Sequence, residues 1–367
     1  MGIADKIKEI EDEIARTQKN KATERHIGLL KARLAKYRMM LLEKTKSSGG
    51  KSEGFDVAKY GDARVALVGF PSVGKSSFLS QVTKTQSAIA EYAFTTLTAI
   101  PGIIKHEGAT IQLLDLPGII EGAATGKGRG RQVVAAARTA DLILMVLDAS
   151  NAEVERRLLE IELEEIGIRL NQQKPNVTYQ QKRTGGIKFT TSCQLTHLDD
   201  KMATQILHEY RVHNAEILVR EDITVDQFVD VIVGNAKYMK CMYLYNKIDT
   251  ITMEEIDRLG RSDPNGLVCS CKFQLNLDRA VEKIWRTLDF MRIYTKKKGS
   301  PPDFVDPFVL PRGGVVGDFC KAIHKELFNR MRHAVVWGRS VKHSPQKVGK
   351  NHPLADEDVV QIVTKNI

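Results

Sequence analysis

The octapeptide GFPSVGKS has the residue types and spacing of a phosphate-binding loop. It fits the pattern G-x-x-x-x-G-K-[ST], in which Lys75 reaches the β- and γ-phosphates and the Ser76 hydroxyl binds Mg²⁺. An apolar, β-branched run precedes the loop and a helix-like stretch follows it, so backbone N–H groups and a helix N-terminus converge on the phosphates. A chance match in a Gly/Ser turn is the alternative for this motif taken alone. The predicted nucleotide-binding residues of this loop are Gly69, Phe70, Pro71, Ser72, Val73, Gly74, Lys75, Ser76 and Ser77.

A second motif, NKID, follows an apolar run and ends at Asp249. Its carboxylate can accept hydrogen bonds from the N1–H and the 2-amino group of guanine, whereas adenine offers no matching pair of donors. The motif therefore predicts GTP rather than ATP, with Asn246 and Lys247 in the same site. The run LVCSCK predicts a further strand that ends at Ser270 and Cys271, where a backbone N–H can meet the guanine O6.

The run IQLLDLPG predicts a buried strand with Asp115 at its carboxyl end. Ligands of open α/β sheets bind at that edge, so Asp115 can reach Mg²⁺ through a water and the N–H of Gly118 can contact a γ-phosphate. The segment GAATGKGRGR at 122–131 contains four glycines and three basic residues. It predicts a switch loop that an anion orders, and a passive connector is the alternative.

Composition limits the classes to which the protein can belong. The 367 residues are 42% hydrophobic and 27% charged, which is typical of a globular protein of two or three domains. No apolar run is long enough for a membrane span, and we expect neither a signal peptide nor a membrane anchor. Five cysteines without a C-x-x-C pair predict a reducing, cytosolic location rather than disulfides or a zinc site. The net charge of +10 favours polyanionic partners only weakly.

The first 46 residues predict a helical hairpin. Isoleucines at 3, 7, 10 and 14 form one apolar stripe, and a second stripe of Ile27, Leu30, Leu34, Tyr37 and Leu41 follows a break. This segment holds 12 Lys or Arg and 7 Asp or Glu. Its basic face predicts either a contact with RNA or the ribosome, or simply a solvated surface. The composition of residues 44–54 predicts a flexible linker.

Two further modules follow from spacing and pattern. Gly118 and Asn246 are 128 residues apart, roughly twice the distance that the intervening strands and helices need, so we expect a small α+β insert. Within this insert we predict a helix over 199–212. The α/β pattern ends after Arg292, and the remaining residues predict a β-grasp-like domain with a helix over 316–332. Its basic residues Lys342, His343, Lys347 and Lys350 are predicted to share one loop.

Taken together, the motifs GFPSVGKS, YAFTTL, DLPGIIEGA, GKGRGRQV, NKID and the N-terminal ARTQKNKAT resemble the developmentally regulated GTP-binding proteins, the DRG branch of the Obg-related GTPases. The resemblance implies an α/β fold: a Ras-like P-loop GTPase core with an N-terminal helical hairpin, a small α+β insert and a C-terminal β-grasp (TGS) domain. The implied domains are a helix-turn-helix segment with its linker at 1–58, the GTPase domain at 59–168 and 239–291, the insert at 169–238 and the TGS domain at 292–367.

The resemblance also implies partners and roles. Family members are cytoplasmic, associate with ribosomes or their RNA, and bind a zinc-finger regulatory protein; we expect no membrane partner, and a monomer or a heterodimer with that regulator. By position, Thr96 binds Mg²⁺ and senses the γ-phosphate, beside Lys75 and Gly118 as catalytic groups. Ile119 replaces the water-orienting glutamine of Ras-like enzymes, so hydrolysis must be slow or assisted otherwise. Relatives use K⁺ near the phosphates, and Ser72 stands where their potassium ligand is usually Asn.

Two functions from different classes fit these residues. The first is a GTPase that needs Mg²⁺, is stimulated by K⁺ and acts as a switch in translation. The second is a GTP-gated adaptor that binds RNA or protein with negligible catalysis, which Ile119 favours.

Overall fold

A computed structural model describes residues 3–18, 20, 23–47, 60–85, 101–116 and 136–364 of the chain. The described residues divide into two compact units. Their helices are α1 (Ile3–Arg16), α2 (Glu24–Ser47), α3 (Lys75–Thr85), α4 (Ala152–Glu165), α5 (Asp200–Glu209), α6 (Val225–Val233), α7 (Met253–Ser262), α8 (Leu277–Leu288), α9 (Val316–Ile323) and α10 (Lys325–Arg330). Their strands are β1 (Ala63–Val68), β2 (Pro101–His106), β3 (Ala109–Asp115), β4 (Leu142–Asp148), β5 (Ile168–Leu170), β6 (Val177–Gln181), β7 (Ile187–Thr191), β8 (Ala215–Val219), β9 (Lys237–Asn246), β10 (Gly266–Val268), β11 (Phe290–Lys296), β12 (Pro302–Pro311), β13 (Met331–Trp337), β14 (Gln346–Val348) and β15 (Asp358–Thr364).

The central sheet has the strand order β10-β9-β4-β1-β3-β2. Its strands are parallel except for β2, which pairs antiparallel with β3. Every residue of β1 is buried, which explains its nearly continuous apolar sequence. Because neighbouring strands are parallel, their carboxyl ends lie along one edge, where Leu67 is opposite Asp115 and Asp148 is opposite Asn246.

The helices α3 and α8 contribute to the apolar core beside this sheet. Phe78 and Leu79 of α3 and Ile284 of α8 belong to the same buried cluster as the sheet residues Val65 and Leu113. This packing fixes the beginning of α3, and therefore the loop that leads into it.

The other unit contains the helical hairpin and a small α+β layer. Its three-stranded sheet has the order β6-β8-β7, and residues of α5 and α6 form its apolar core, with Phe228 and Ile206 fully buried. Ala32 of α2 belongs to the same core. The predicted helix over 199–212 is shorter than expected, because the chain leaves α5 at Glu209 and turns through Arg211 with φ 59°.

The C-terminal sheet has the order β12-β11-β15-β13-β14, with α9 and α10 beside it. The single helix predicted over 316–332 is wrong. His324 is extended, with φ −164° and ψ 135°, and its ring accepts a hydrogen bond from the N–H of Glu326, so it ends α9 and caps α10. The residues that follow Arg292 continue strand β11 as far as Lys296. Lys347, which was predicted to share a loop with three other basic residues, lies in β14.

Two further expectations need correction at their edges. The linker predicted over 44–54 begins too early, because α2 continues to Ser47; residues 48–54 lie outside the described residues. The strand predicted from the run LVCSCK ends at Val268, and Ser270 instead forms an isolated bridge with Leu275.

The predicted fold class is confirmed. In the described part of the chain, no helix is long and apolar enough to span a bilayer.

Candidate nucleotide-binding site

The loop between β1 and α3 is shaped by two glycines that approach other backbone or side-chain atoms closely. A Cβ on Gly69 would lie 2.3 Å from the carbonyl oxygen of Val146, and a Cβ on Gly74 would lie 2.3 Å from Nδ2 of Asn246. Gly74 also has φ +98°, and Ser72 adopts φ 66°. The loop can therefore reach this conformation only with glycine at both close approaches.

Lys75 lies over this loop. Its Nζ donates hydrogen bonds to the carbonyl oxygens of Gly69 and Phe70, each at 2.8 Å. Burial lowers the pKa of Lys75, while the nearby carboxylates of Asp115 and Glu155 oppose that shift. The loop therefore holds a partly desolvated ammonium in place, where its interaction with an anion is stronger than in water.

Ser76 and Asp115 form the oxygen-rich part of the site. The Ser76 hydroxyl donates to Oδ2 of Asp115 at 2.7 Å, and Asp115 is 7% exposed. Its Oδ1 is buried and has no hydrogen-bond partner among the described residues. Hydroxyl and carboxylate oxygens are the ligands that Mg²⁺ prefers, and an unpaired buried carboxylate oxygen is costly without a cation or a donor. These residues therefore fit Mg²⁺.

Asn246 connects the phosphate-binding loop to the loop after β10. Its Nδ2 donates to the carbonyl of Val73 at 2.7 Å, and its Oδ1 accepts the backbone N–H of Cys271 at 3.0 Å. Only 2% of Asn246 is exposed. The N–H of Cys271, which we predicted to meet the guanine O6, is therefore paired with Asn246.

Asp249 is oriented by the same loop. The buried Ser270 donates from its hydroxyl to Oδ1 of Asp249 at 2.7 Å, while Asp249 itself is exposed. This hydrogen bond fixes the carboxylate and leaves its second oxygen open to a further donor.

Lys247 has φ 64° and donates from Nζ to Oδ2 of Asp148 at 2.8 Å. Burial alone would raise the pKa of Asp148, but hydrogen bonds from Lys247 and Ser150 hold it below its ordinary value. The ion pair therefore ties the motif at the end of β9 to the end of β4.

Sequence reasoning missed three residues that support this edge. Gln81 donates from Nε2 to the carbonyl of Cys271 at 2.6 Å, Glu155 accepts the backbone N–H of Asp148 at 2.9 Å, and the Cys269 thiol lies 3.7 Å from Oδ1 of Asn246. Of the three, only Glu155 could have been suspected from the sequence, because it lies in the first turn of a helix that follows a buried strand.

The structure brings most of the predicted residues together along one edge. Around the loop, Pro71, Ser72 and Ser77 are exposed, and Phe70 is half-buried against the core. Thr96, Gly118, Ile119 and the segment 122–131 lie outside the described residues.

Comparison with known proteins connects this geometry with a family. The family described as 50S ribosome-binding GTPase matches residues 64–182, the C-terminal region of the MMR_HSR1 domain matches residues 184–290, and the TGS domain matches residues 291–364. Developmentally-regulated GTP-binding protein 2 of Homo sapiens is 60% identical over 365 residues, which cover 100% of both chains. GTP-binding protein 1 of Schizosaccharomyces pombe is also 60% identical over 365 residues, with the same coverage.

A plant relative and a solved structure extend the comparison. Developmentally-regulated G-protein 1 of Arabidopsis thaliana is 56% identical over 368 residues, which cover 100% of this chain and 92% of that protein. The structure of the Schizosaccharomyces pombe YchF GTPase covers 83% of this chain and 99% of that one, at 14% identity and a TM-score of 0.47, a likeness too low to carry an argument. Because identity of 56–60% to GTP-binding proteins extends over the full length of the chain, the protein belongs to the developmentally regulated GTP-binding proteins and contains a GTPase domain and a TGS domain.

Proposed function

We propose that this chain binds GTP and Mg²⁺ at the carboxyl edge of the central sheet, hydrolyses GTP slowly to GDP and phosphate, and acts in the cytoplasm as a switch on the ribosome. The observation that carries the nucleotide site is the side chain of Asn246, which joins the carbonyl of Val73 to the N–H of Cys271. This one residue connects the loop suited to phosphate with the loop suited to guanine.

The phosphate side of the site depends on charge and hard oxygen ligands. Lys75 would contact the β- and γ-phosphates, and the Gly118 N–H the γ-phosphate. Ser76, Asp115 (through a water) and Thr96 would hold Mg²⁺, which supplies positive charge to the phosphate oxygens. Ile119 carries no group that can orient a water, so we expect slow intrinsic turnover.

The guanine side of the site depends on Asp249. Its Oδ1 is held by Ser270, so the carboxylate is fixed to accept from the N1–H and 2-amino group of guanine. ATP would leave that carboxylate without a matching pair of donors.

Replacing the acceptor tests this assignment directly. Asp249→Asn should weaken GTP binding by roughly 100-fold, because two hydrogen bonds to a charged acceptor are lost. The same variant should gain affinity for xanthosine triphosphate, since xanthine carries a carbonyl where guanine carries the 2-amino group and the new amide can donate to it. Competition against a fluorescent guanine nucleotide measures both affinities.

The control is Asp257→Asn, which removes an exposed carboxylate of α7 that is paired with Arg261. It should leave both affinities unchanged. Equal affinity of Asp249→Asn and wild type for GTP would contradict the assignment of the guanine site.

Stimulation by K⁺ is the part of the proposal that rests on the family resemblance, with Ser72 as the candidate ligand. Turnover in KCl should exceed turnover in NaCl of equal ionic strength, and Ser72→Ala should reduce that difference. Equal rates in the two salts would remove K⁺ from the mechanism.

The ribosomal role is supported by the family description matched by residues 64–182 and by the basic N-terminal segment. The proposed partners are ribosomal RNA and a zinc-finger regulatory protein, with the chain a monomer or a heterodimer with that regulator. Co-sedimentation with ribosomes under GTP, GDP and no nucleotide tests this role, and pelleting that does not depend on nucleotide would contradict a switch.

A GTP-gated adaptor without useful catalysis is the second candidate, and the identity of Ile119 favours it. Single-turnover hydrolysis with and without K⁺ and ribosomes separates the two. If neither addition accelerates hydrolysis while ribosome binding follows the nucleotide, the adaptor is the better description.

A further inference from the structure

Gln81 lies in α3 and holds the backbone of the loop that follows β10. Its Nε2 donates to the carbonyl oxygen of Cys271 at 2.6 Å, across 190 positions of the sequence. The N–H of the same cysteine donates to Oδ1 of Asn246 at 3.0 Å. Because Cys271 is buried, water competes little for either bond. Side chains of α3 and β9 therefore fix both backbone polar groups of this one residue.

The preceding residue, Ser270, is held by different partners. Its hydroxyl donates to Oδ1 of Asp249 at 2.7 Å. Its backbone N–H donates to the carbonyl of Leu275 at 3.2 Å, and its carbonyl accepts the N–H of Leu275 at 3.0 Å. None of these bonds involves α3. Loss of the Gln81 amide should therefore release the Cys271 side of the loop and leave Asp249 held.

The carbonyl that Gln81 binds belongs to the peptide group between Cys271 and Lys272. This peptide bond is trans. In a planar trans peptide the C=O and the N–H point in opposite directions, so the N–H of Lys272 points away from α3. Lys272 is exposed on that side. A hydrogen bond to the carbonyl also polarises the peptide group, which makes its N–H a stronger donor.

This turn leaves one donor open for a ligand. The N–H of Cys271 is already bonded to Asn246, whereas the N–H of Lys272 has no hydrogen-bond partner among the residues that the structure describes. We infer that Gln81 is a positioning residue for base recognition, which directs the Lys272 N–H at the O6 of guanine. The inference rests on the proposed function, because it requires guanine beside Asp249. It moves the predicted O6 contact from Cys271 to the next residue.

The test compares three nucleotides that differ at single positions of the base, by competition against a fluorescent GDP on the full chain. GDP carries O6, the N1–H and the 2-amino group. In 6-thioguanosine diphosphate a sulfur atom, which accepts hydrogen bonds weakly, replaces O6. Inosine diphosphate keeps O6 and lacks the 2-amino group. Wild type should bind both analogues more weakly than GDP, because each leaves a group of the site without its partner.

Gln81→Met keeps the length of the side chain and removes its donor. Its affinity for GDP should fall about tenfold, as expected when one hydrogen bond is weakened, and its affinity for 6-thioguanosine diphosphate should fall less than about threefold. The preference for O6 over sulfur should therefore shrink. The preference for GDP over inosine diphosphate should stay at the wild-type value, because Ser270 still holds Asp249.

Thr83→Val is the matched control on the same helix. The Thr83 hydroxyl bonds the carbonyls of Leu79 and Ser80, so its removal costs hydrogen bonds within α3 and none to the loop after β10. This variant should keep both preferences of wild type. A general loss of stability, followed by urea unfolding without nucleotide, would weaken the binding of all three nucleotides alike and would leave their ratios unchanged.

A measurement on wild type does not depend on how the variant folds. In NMR spectra of the full chain, the amide proton of Lys272 should shift when 6-thioguanosine diphosphate replaces GDP, because its acceptor changes from oxygen to sulfur. The amide of Leu275 is the internal reference. It donates to the carbonyl of Ser270 and should keep its position.

Two outcomes would overturn the inference. One is a Gln81→Met protein that prefers GDP over 6-thioguanosine diphosphate as strongly as wild type does. The other is a Lys272 amide signal that is the same with both nucleotides. If wild type binds none of the three nucleotides, the proposed function is refuted as well. If wild type binds GDP and discriminates against inosine diphosphate, the proposed guanine site stands, and the result for Gln81 decides only its role.

Discussion

Asn246 serves the folded chain as well as the proposed ligand, because both ends of its carboxamide bind protein backbone. Asn246→Ala would leave the carbonyl of Val73 and the N–H of Cys271 without this partner in a buried place. Each unpaired group costs about 1–3 kcal/mol, so for the two groups we expect a loss of about 2–6 kcal/mol in the free energy of unfolding without nucleotide. Urea unfolding measures it.

The control for this prediction is Asn329→Ala, which changes an exposed residue of α10. It should change stability by less than about 0.5 kcal/mol. If Asn246→Ala unfolds at the same urea concentration as the control, the residue acts only through the nucleotide.

Glu155 gives the site a pH dependence. Burial raises its pKa above the ordinary 4.5 and the Asp148 charge adds to the shift, while the hydrogen bond from the Asp148 N–H and the charges of Lys247 and Lys75 oppose it. A carboxyl with a raised folded pKa binds its proton more tightly when folded, so its contribution to stability is full below pH 4.5 and is lost as the pH rises through the folded pKa. Gln cannot ionise, so Glu155→Gln should not lose this contribution to stability as the pH rises.

The stability of Glu155→Gln relative to wild type should therefore be greater at pH 7.5 than at pH 4.5. Urea midpoints of both proteins at the two pH values check the sign. Glu153→Gln, on the same helix but with a side chain that is 82% exposed, is the control and should show no such change. A difference that shrinks towards pH 7.5 would show that the positive charges outweigh burial.

At the scale of elements, the phosphate-binding loop is held by shape. Gly74→Ala would place a Cβ 2.3 Å from Nδ2 of Asn246, whereas Gly313→Ala has open space around it at a similar φ of +83°. Both variants bear the strain of a positive φ, about 1 kcal/mol, so their difference isolates the close contact. We expect Gly74→Ala to lose measurable GDP binding and to be the less stable protein.

Fluorescent GDP titration and urea unfolding of both variants measure that difference. Gly313→Ala should bind GDP as wild type does, because Gly313 lies in the turn between β12 and α9. Equal stability and equal GDP affinity of the two variants would show that the loop tolerates the added methyl group by moving away from Asn246.

The sequence predicted those helices and strands in which the local pattern of apolar residues matches their burial in the fold. The carboxyl end of β3 was predicted correctly because its apolar run ends in Asp115. The bond from Asn246 to Val73 could not be predicted, since it joins residues 173 positions apart. The division between α9 and α10 was also missed, because His324 ends one helix through a backbone conformation that its residue type does not specify.

At the scale of the molecule, Arg292 connects the C-terminal sheet to the turn between β2 and β3. Its guanidinium binds Glu107 of that turn at 2.7 Å, and Asp356 and Glu357 of the turn before β15 at 2.9 and 3.1 Å. Pro307 of β12 lies against the same turn, 2.4 Å from where a Cβ on Gly108 would stand. One cation thus holds three carboxylates that would otherwise repel one another.

Arg292→Ala should therefore lower the free energy of unfolding by about 1–2 kcal/mol. The value lies at the low end for hydrogen bonds to charged groups because the three carboxylates are 40–51% exposed. Arg312→Ala, which removes a 75% exposed arginine paired with Asp289, is the control and should cost less. Urea unfolding of the two variants gives the comparison.

Hydrogen exchange then decides what Arg292 connects. If the arginine ties the turn to the C-terminal sheet, amides around Glu107 and Gly108 should exchange faster in Arg292→Ala than in wild type. Glu107→Gln should cause the same faster exchange at the turn, and it should leave the exchange near Asp356 unaltered. The turn joins β2 to β3, and β3 ends at Asp115, the proposed Mg²⁺ ligand. Such a result would therefore show that the C-terminal sheet is connected to the proposed metal site through a single strand, β3. Unchanged exchange at the turn would instead confine Arg292 to the stability of its own sheet.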